Sequence, residues 1–350
     1  MDGGRLASLV AVLAVAGVAV ASLADSRSSG GTHRAAVTTA PTTTAPPATT
    51  PSLGSLAEQL GRLPEVTAGE LAGRIHRRLP NCRWRVADLA TGTDDDITPR
   101  GRCPLWVPGW RYAFSFAVEQ SASAPIVRGI VVSAGTREVG RIRVPEAVTG
   151  GAAGTPGGRL ALCLHGARDE TRLYTGARLD RIVPSCDPVS FGEEFLFQNG
   201  GRFRDADGRV AIDLGRPPVF VQPTANGLVV AVTDDDRLLV YRGRRVLHER
   251  PLPAGLHETS VLDADADAKG DAVVLRIRRD LQSDLAVVGM RGGDAQESHA
   301  GSVLSAWIAP DGRSVAAVVA GIPVVLDAAT LIPRGRLTLE DGASLQAWTS

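Results

Sequence analysis

Two stretches of the chain align on each other without a gap. SVLDADADAKGDAVVLRI, starting at Ser260, lies on SVLSAWIAPDGRSVAAVV, starting at Ser302, with the turn glycines Gly270 and Gly312 in register at an offset of 42 residues. Gly227, in VFVQPTANGLVVAV, falls 43 residues before Gly270 in the same setting, and Trp348 in SLQAWTS falls 41 after Trp307 in VLSAWIA. A fixed period of this length is the signature of a repeat architecture, and a β period near 42 is that of a four-stranded propeller blade.

The surrounding sequence has the matching grain. From Cys82 onward short apolar segments recur, among them RWRVADLA, RYAFSFAV, RGIVVSAG, RLALCLHG, GLVVAVT, RLLVYRG and IPVVLDA, separated by DG, NG, KG and GG turn pairs. Segments this short, with Gly punctuation, read as strands. The expected fold is an all-β propeller of six blades, with seven as the alternative count. The blades fall near 83–144, 158–184, 188–214, 218–250, 260–298 and 302–339. The last residues, LQAWTS, begin a further strand and stop. Such a strand closes a ring by completing a blade begun near the start of the domain, around Cys82 to Phe116.

The first half-hundred residues cannot belong to this core. Leu6 to Ala24 reads LASLVAVLAVAGVAVASLA without a charge, and nineteen residues at about 1.5 Å each span roughly the hydrocarbon thickness of a bilayer. This fits a single-pass anchor. Ser22-Leu23-Ala24 also fits the small-residue site of a cleavable signal peptide, so secretion after cleavage near Ala24 stays open. Residues 26–52, SRSSGGTHRAAVTTAPTTTAPPATTPS, hold almost no large apolar side chain. They cannot bury enough surface to offset chain entropy and read as a disordered stalk. The expected organisation is a signal or anchor over 1–25, a Thr/Pro-rich linker over 26–52, a short helical connector over 53–80 and a propeller over 81–350. Within the connector, SLAEQLGRL and VTAGELAGRIHRRL place Leu53, Leu56, Leu60, Leu71 and Ile75 at helical spacing, and Thr67 and Glu70 stand at capping-box spacing.

Compartment also follows from the cysteines. Cys82, Cys103, Cys163 and Cys186 are four in number, an even count that suits disulfides in an oxidising compartment. Of three pairings, the local one is expected, Cys82–Cys103 and Cys163–Cys186, because the residues between Cys82 and Cys103 read as a hairpin with TGTDDD at its turn. Each bridge closes a loop of about 20 residues, worth roughly 3 kcal/mol. No C-x-x-C occurs, so no metal site is expected.

Charge excludes some partners. Basic and acidic residues balance at 38 each, so no global field draws the chain to nucleic acid. Lys269 is the single lysine, the composition of a GC-rich bacterial genome. The expected partners are the membrane, through residues 6–24, and a protein or component of the cell envelope.

With the period and the turn glycines in hand, residues 82–350 resemble exported bacterial β-propeller proteins of the broad TolB-like or WD40-like type. The WD and GH signatures of true WD40 blades are absent. The resemblance implies a ring with a binding face and carries no catalytic residue across.

Candidate site residues are few. Trp106 and Trp110, in CPLWVPGWRY, form an aromatic loop that could contact a ligand. Asp263, Asp265 and Asp267 alternate along a strand and so share a face; a calcium loop would need glycine and a carboxylate where Ala268 and Val274 stand. Neither H-E-x-x-H nor G-x-S-x-G occurs. No catalytic residue and no cofactor is assigned. The expected function is a non-catalytic protein- or envelope-binding module outside the cytoplasm. The alternative is a hydrolase using the centre of the ring, which clustered acids with a His at the channel mouth would favour.

Overall fold

The computed structural model describes residues 53–66, 69–100, 104–106, 110–120, 125–144, 148–166, 168–298, 301–339 and 343–350. The hydrophobic segment Leu6–Ala24, the linker and Cys103 lie outside these. Among the described residues the chain is an all-β ring of seven blades.

Four blades are self-contained antiparallel sheets of four consecutive strands. They are β11 (Pro188–Phe191) to β14 (Val210–Asp213), β15 (Pro218–Pro223) to β18 (Arg245–Pro251), β19 (Val261–Ala266) to β22 (Gln296–Ser298), and β23 (Val303–Ile308) to β26 (Pro333–Arg336). We number these blades 4 to 7. Blade 3 is β7 (Val148–Gly154) to β10 (Arg178–Val183). Blade 2 is β4 (Ala113–Gln120), β5 (Pro125–Ala134) and β6 (Arg137–Arg143), with its first strand reduced to a bridge between Leu105 and Phe114. A single pair, Ile126 with Val148, joins blades 2 and 3 into one sheet. The first strands of successive blades, from β7 through β11, β15, β19 and β23 to β27 (Ser344–Thr349), contact one another in turn.

Blade 1 is made from both ends of the domain. Its strand order is β27, β1 (Arg74–Arg78), β2 (Trp84–Asp88), β3 (Asp94–Asp96). Ile75 sits opposite Trp348 and Arg77 opposite Leu345, and Leu345 and Trp348 are buried. The C-terminal strand therefore closes the ring in the sheet that holds Trp84.

Two expectations change. Only α1 (Leu53–Gly61) of the connector is helical; its Leu60 packs into the core between blades 6 and 7. The segment expected to be the second helix contains β1, so the ring begins at Arg74 rather than after residue 80. Gly69 and Gly73 have φ of 89° and 98°, outside helical geometry. At Gly73 a Cβ would come within 2.7 Å of the Thr349 carbonyl oxygen and of Trp348 Nε1. The blade count is seven rather than six because 83–144 holds two of the four strands of blade 1 and all three strands of blade 2.

The repeat has a structural cause. Gly227, Gly270 and Gly312 end the turns between the first and second strands of blades 5, 6 and 7, with φ of 74°, 78° and 73°. Each donates its N–H three residues back, to Thr224, Asp267 and Ala309. Gly158 does the same in blade 3, donating to Thr155 with φ of 85°.

Candidate functional site

Neighbouring blades of a propeller pack face to face, and the apolar contacts show where this packing is complete. Blades 2 and 3 share a cluster around Phe114 and Leu162. Blades 3 and 4 share Ala161, Leu173, Phe195 and Phe197, and blades 4 and 5 share Phe191, Leu196, Ala231 and Tyr241. The largest cluster joins blades 5 and 6 through Val230, Val240, Leu275 and Ala286. Blades 6 and 7 meet at Leu285, Val287, Val315 and Val324, and blades 7 and 1 at Ala316, Val325, Ile75 and Trp348. Among the described residues no such cluster joins blade 1 to blade 2.

A cleft occupies that seam. It has a volume of about 430 Å³ and is lined by Arg74, His76, Val86, Asp88, Thr93, Asp95, Ile97 and Trp106, a size in the range of small-ligand sites. Strand register explains the lining. Arg74 pairs with Asp88, His76 with Val86, and Val86 with Asp95, so these side chains share one face of blade 1, while Ile75 points the other way into blade 7. From blade 2 comes Trp106. Its ring meets Trp84 edge-to-face with centroids 5.2 Å apart, and its Nε1 donates to the Trp110 carbonyl at 3.3 Å.

The polar groups of the cleft are unevenly satisfied. Asp88 is fully engaged: its Oδ1 caps the N–H groups of Ala90 and Thr91, and its Oδ2 accepts from Arg74 Nε at 3.3 Å. These hydrogen bonds hold its carboxyl below the usual range. His76 is buried, with Nε2 2.9 Å from Thr349 Oγ1, and its Nδ1 has no hydrogen-bond partner among the described residues. Burial, with a smaller contribution from the Arg74 charge, lowers its pKa to about 4, so the ring is neutral near pH 7. Asp95 is exposed and makes no hydrogen bond or ion pair among the described residues.

The sequence-derived candidates divide. Trp106 lines the cleft. Trp110 does not; it lies against β7, where a Cβ on Gly154 would fall 2.0 Å from its ring. Asp263 and Asp265 lie on β19 opposite Arg276 and Val274. Asp263 accepts from Gln222 Nε2 at 2.6 Å and from the Ala264 N–H at 3.0 Å. Asp265 is buried, its Oδ2 accepting from the Ile308 N–H of blade 7 at 3.2 Å while its Oδ1 has no partner. Burial raises the pKa of Asp265 to about 8, and it raises that of Asp263 as well. Asp267 lies past the end of β19, where its Oδ1 accepts from the Ala272 N–H at 3.2 Å and closes the following turn. His165, His248 and His257 stand beside Asp169, Asp271 and Asp236 instead, so none of these three joins the acids of β19.

Cys163 and Cys186 form a disulfide. His165 lies within metal-ligand reach of both sulfurs, but those sulfurs are already committed to each other. Cys82 is disulfide-bonded; its expected partner, Cys103, lies outside the described residues.

No protein-family model matches the chain, and no curated protein matches it. Solved structures share its architecture. Hsv2 of Kluyveromyces lactis, in a form with loop 6CD replaced by a Gly-Ser linker, is 9% identical over 82% of this chain and 99% of that one, with a TM-score of 0.43. A candidate 6-phosphogluconolactonase from Bacteroides uniformis is 10% identical over 78% of this chain and 100% of its own, with a TM-score of 0.43. A eukaryotic initiation factor is 11% identical over 80% and 89%, with a TM-score of 0.46. These likenesses are of fold alone and bring no activity with them. Among the described residues no helix is long and apolar enough to cross a membrane; Leu6–Ala24 lies outside them.

The cleft escaped sequence reading because its floor is the strand RIHRR. Three of its four buried residues, His76, Arg77 and Arg78, are polar or charged, so no apolar alternation marks it. Beyond Trp106, which the sequence did single out, the available signal was the excess of Arg and His in the short segment before Cys82.

Proposed function

We propose that this protein is an extracytoplasmic β-propeller, tethered through residues 6–24 or secreted after cleavage near Ala24, that binds a component of the cell envelope or a protein partner without catalysis. The observation carrying the binding reading is the blade 1–blade 2 seam, which among the described residues lacks an apolar cluster and holds a cleft instead. A buried polar group left unpaired costs about 1–3 kcal/mol. Six seams are packed with apolar side chains, whereas the seventh holds a cleft in which, among the described residues, His76 Nδ1 is unpaired, a feature that works against stability. Such features concentrate at functional sites.

The hydrolase alternative has less support. A neutral Asp265 beside a second carboxyl could act as an acid, but its surroundings are backbone N–H groups and apolar side chains, and Asp263 is already held by Gln222.

Two measurements test the reading. A fusion of residues 1–60 to a reporter active only outside the cytoplasm should be active, and activity confined to a cytoplasmic reporter would overturn the compartment. A photo-crosslinking residue placed at Ile97, on the cleft, should capture an envelope component in intact cells. The same residue at Val246, exposed on blade 5, should not. Equal capture at both positions would remove the cleft from the function.

A further inference from the structure

We propose that the blade 1–blade 2 cleft binds a neutral saccharide unit of the envelope, seated on Trp106 and hydrogen-bonded by Arg74, His76 and Asp95. The inference rests on the binding function proposed above and names its ligand class.

Charge narrows the choice first. The lining contains one guanidinium, Arg74, two carboxylates, Asp88 and Asp95, and a neutral imidazole. A phosphate or another strong anion would meet the two carboxylates in a partly dry site. Arg74 is already tied to Asp88 at 3.3 Å and offers no compensating cluster of cations. A cationic side chain would find Asp95 but would lie beside Arg74. The ligand that matches a mixed, nearly balanced set of donors and acceptors is one whose own groups both donate and accept, and hydroxyl groups do both.

The walls narrow it further. Trp106, Val86 and Ile97 supply apolar surface on the same cleft. A sugar ring presents C–H groups on its faces and hydroxyls around its edge. It can lie against the indole and the two aliphatic side chains while its edge meets the polar atoms. A flat, purely apolar ligand would leave Asp95 and His76 unmatched and would forfeit the cost of desolvating them.

The unpaired atoms supply the specific contacts. His76 Nδ1 is the buried polar atom of the cleft floor without a partner, on a side chain 5% exposed. With Nε2 2.9 Å from Thr349 Oγ1, Nδ1 is the ring nitrogen left to meet a ligand hydroxyl. Asp95, at the exposed rim and without an ion pair, is the available carboxylate, a strong acceptor for a hydroxyl. The guanidinium of Arg74 keeps N–H groups beyond the one given to Asp88. A carboxylate acceptor, a guanidinium donor and an imidazole nitrogen able to accept or donate according to tautomer thus surround an aromatic and aliphatic wall.

The test uses the purified full-length chain in detergent and direct binding by saturation-transfer NMR and titration calorimetry. The probes are neutral disaccharides (cellobiose, trehalose and N,N′-diacetylchitobiose), with glucose 6-phosphate and trilysine as charged comparisons. At least one neutral disaccharide should bind, with transfer to its ring C–H protons. Asp95→Asn and His76→Gln should each weaken it by roughly tenfold, the loss of one good hydrogen bond. Asp95 is exposed, so Asp95→Asn should leave the melting temperature unchanged and keep the result interpretable if His76→Gln fails to fold. Tighter binding of glucose 6-phosphate or trilysine than of every neutral disaccharide would overturn the saccharide class, as would the absence of binding by all three. If no disaccharide binds but Ile97 still crosslinks in cells, the ligand class is wrong and the binding function stands. If both fail, the binding function falls with it.

Discussion

Blades 4 to 7 and blades 1 to 2 solve the same packing problem with different materials. In blade 5, β16 (Val229–Thr233) is buried at every position, and its neighbour β17 (Arg237–Arg242) contributes Leu238, Leu239, Val240 and Tyr241. The two faces of each such blade are largely apolar, and hydrophobic burial is the main term that holds them to their neighbours. In blade 1 the corresponding second strand is RIHRR. One face, through Ile75, completes the packing against blade 7; the other presents Arg74 and His76 to a cleft. The difference shows that closure and packing are separable in this ring. The backbone ladder from β27 to β1 closes the circle, while the adjacent seam is left open enough to admit a ligand.

Removing the closing strand should break the regular and the irregular halves together. β27 contributes a ladder with β1 and buries Leu345, Ala347 and Trp348; at about 1 kcal/mol per backbone hydrogen bond and about 2 kcal/mol per large side chain, its loss rivals the whole stability of a domain. A chain ending at Glu340 should be insoluble or unfolded by circular dichroism, its open sheet edge inviting aggregation. Deleting residues 26–50 should leave the melting temperature unchanged. A truncated chain as stable as the full one would mean that β27 does not close the ring.

A core substitution within the regular half should have the next largest effect. Leu275 is fully buried between blades 5 and 6, and Leu275→Ala should cost about 2–5 kcal/mol in denaturant unfolding. Trp106→Ala, at the seam, removes a half-buried ring from an existing cleft and should cost clearly less. Equal losses would show that the seam is packed as tightly as the rest.

How far the sequence disclosed this contrast follows from the same chemistry. The regular blades were legible because their strands are aliphatic runs and their first turns repeat one glycine, at Gly227, Gly270 and Gly312. Closure was legible because Leu345 and Trp348 echo the repeat. Blade 1 was not. Leu71 and Ile75 stand four apart and mimic a helix face, whereas Ile75 alone belongs to β1, and only tertiary pairing with β27 and β2 makes RIHRR a strand. Blade 2 hid its first strand in the Leu105 bridge, which is why six blades were expected. The alternation of Asp263, Asp265 and Asp267 was read as one strand face, but β19 ends at Ala266 and Asp267 closes the following turn; nor does alternation reveal burial, and Asp265 is enclosed.

Two of the buried titratable groups, His76 and Asp265, should give stability opposing slopes over the same range below neutral pH. His76 has a folded pKa of about 4 against 6.5 unfolded. The unfolded chain therefore binds the extra proton between those values, and the stability tied to His76, present above pH 6.5, is lost as pH falls towards 4. The loss should reach at most about 3 kcal/mol. The groups facing His76 are Arg74 on its own strand, Asp88 and Asp95 from β2 and β3, Thr349 from β27 and Trp106 from blade 2. Asp88, whose hydrogen bonds hold its carboxyl below the usual range, stays ionised across this window and would soften the loss. Asp265 has its folded pKa at about 8 against 3.8, so its contribution is complete below pH 3.8 and is lost as pH rises towards 8. Asp265→Asn should remove the part of the melting-temperature profile that falls between about pH 4 and pH 8, and a profile identical to the unmodified protein's would show that the carboxyl is not buried.

The smallest effect has the most informative sign. If His76 served packing, replacing it would destabilise the ring, as Leu275→Ala does. The observed surroundings argue otherwise. Nδ1 is buried without a partner, and exchanging an unsatisfied polar group for an apolar one of similar size removes a desolvation cost instead of adding one. Thr349 Oγ1 would lose its contact with Nε2, a loss of about 1 kcal/mol, but that hydroxyl lies near the chain terminus and can reach water. His76→Leu should therefore be neutral or stabilising by up to about 1 kcal/mol at pH 7. The gain should grow at pH 5, where the unmodified protein has begun to lose the stability tied to its imidazole. The same variant should crosslink poorly at Ile97 and lose disaccharide binding. Stability and binding would then move in opposite directions at one residue, which a structural histidine cannot do. Destabilisation by 2 kcal/mol or more at pH 7 would assign His76 to packing and make the cleft an imperfection of ring closure.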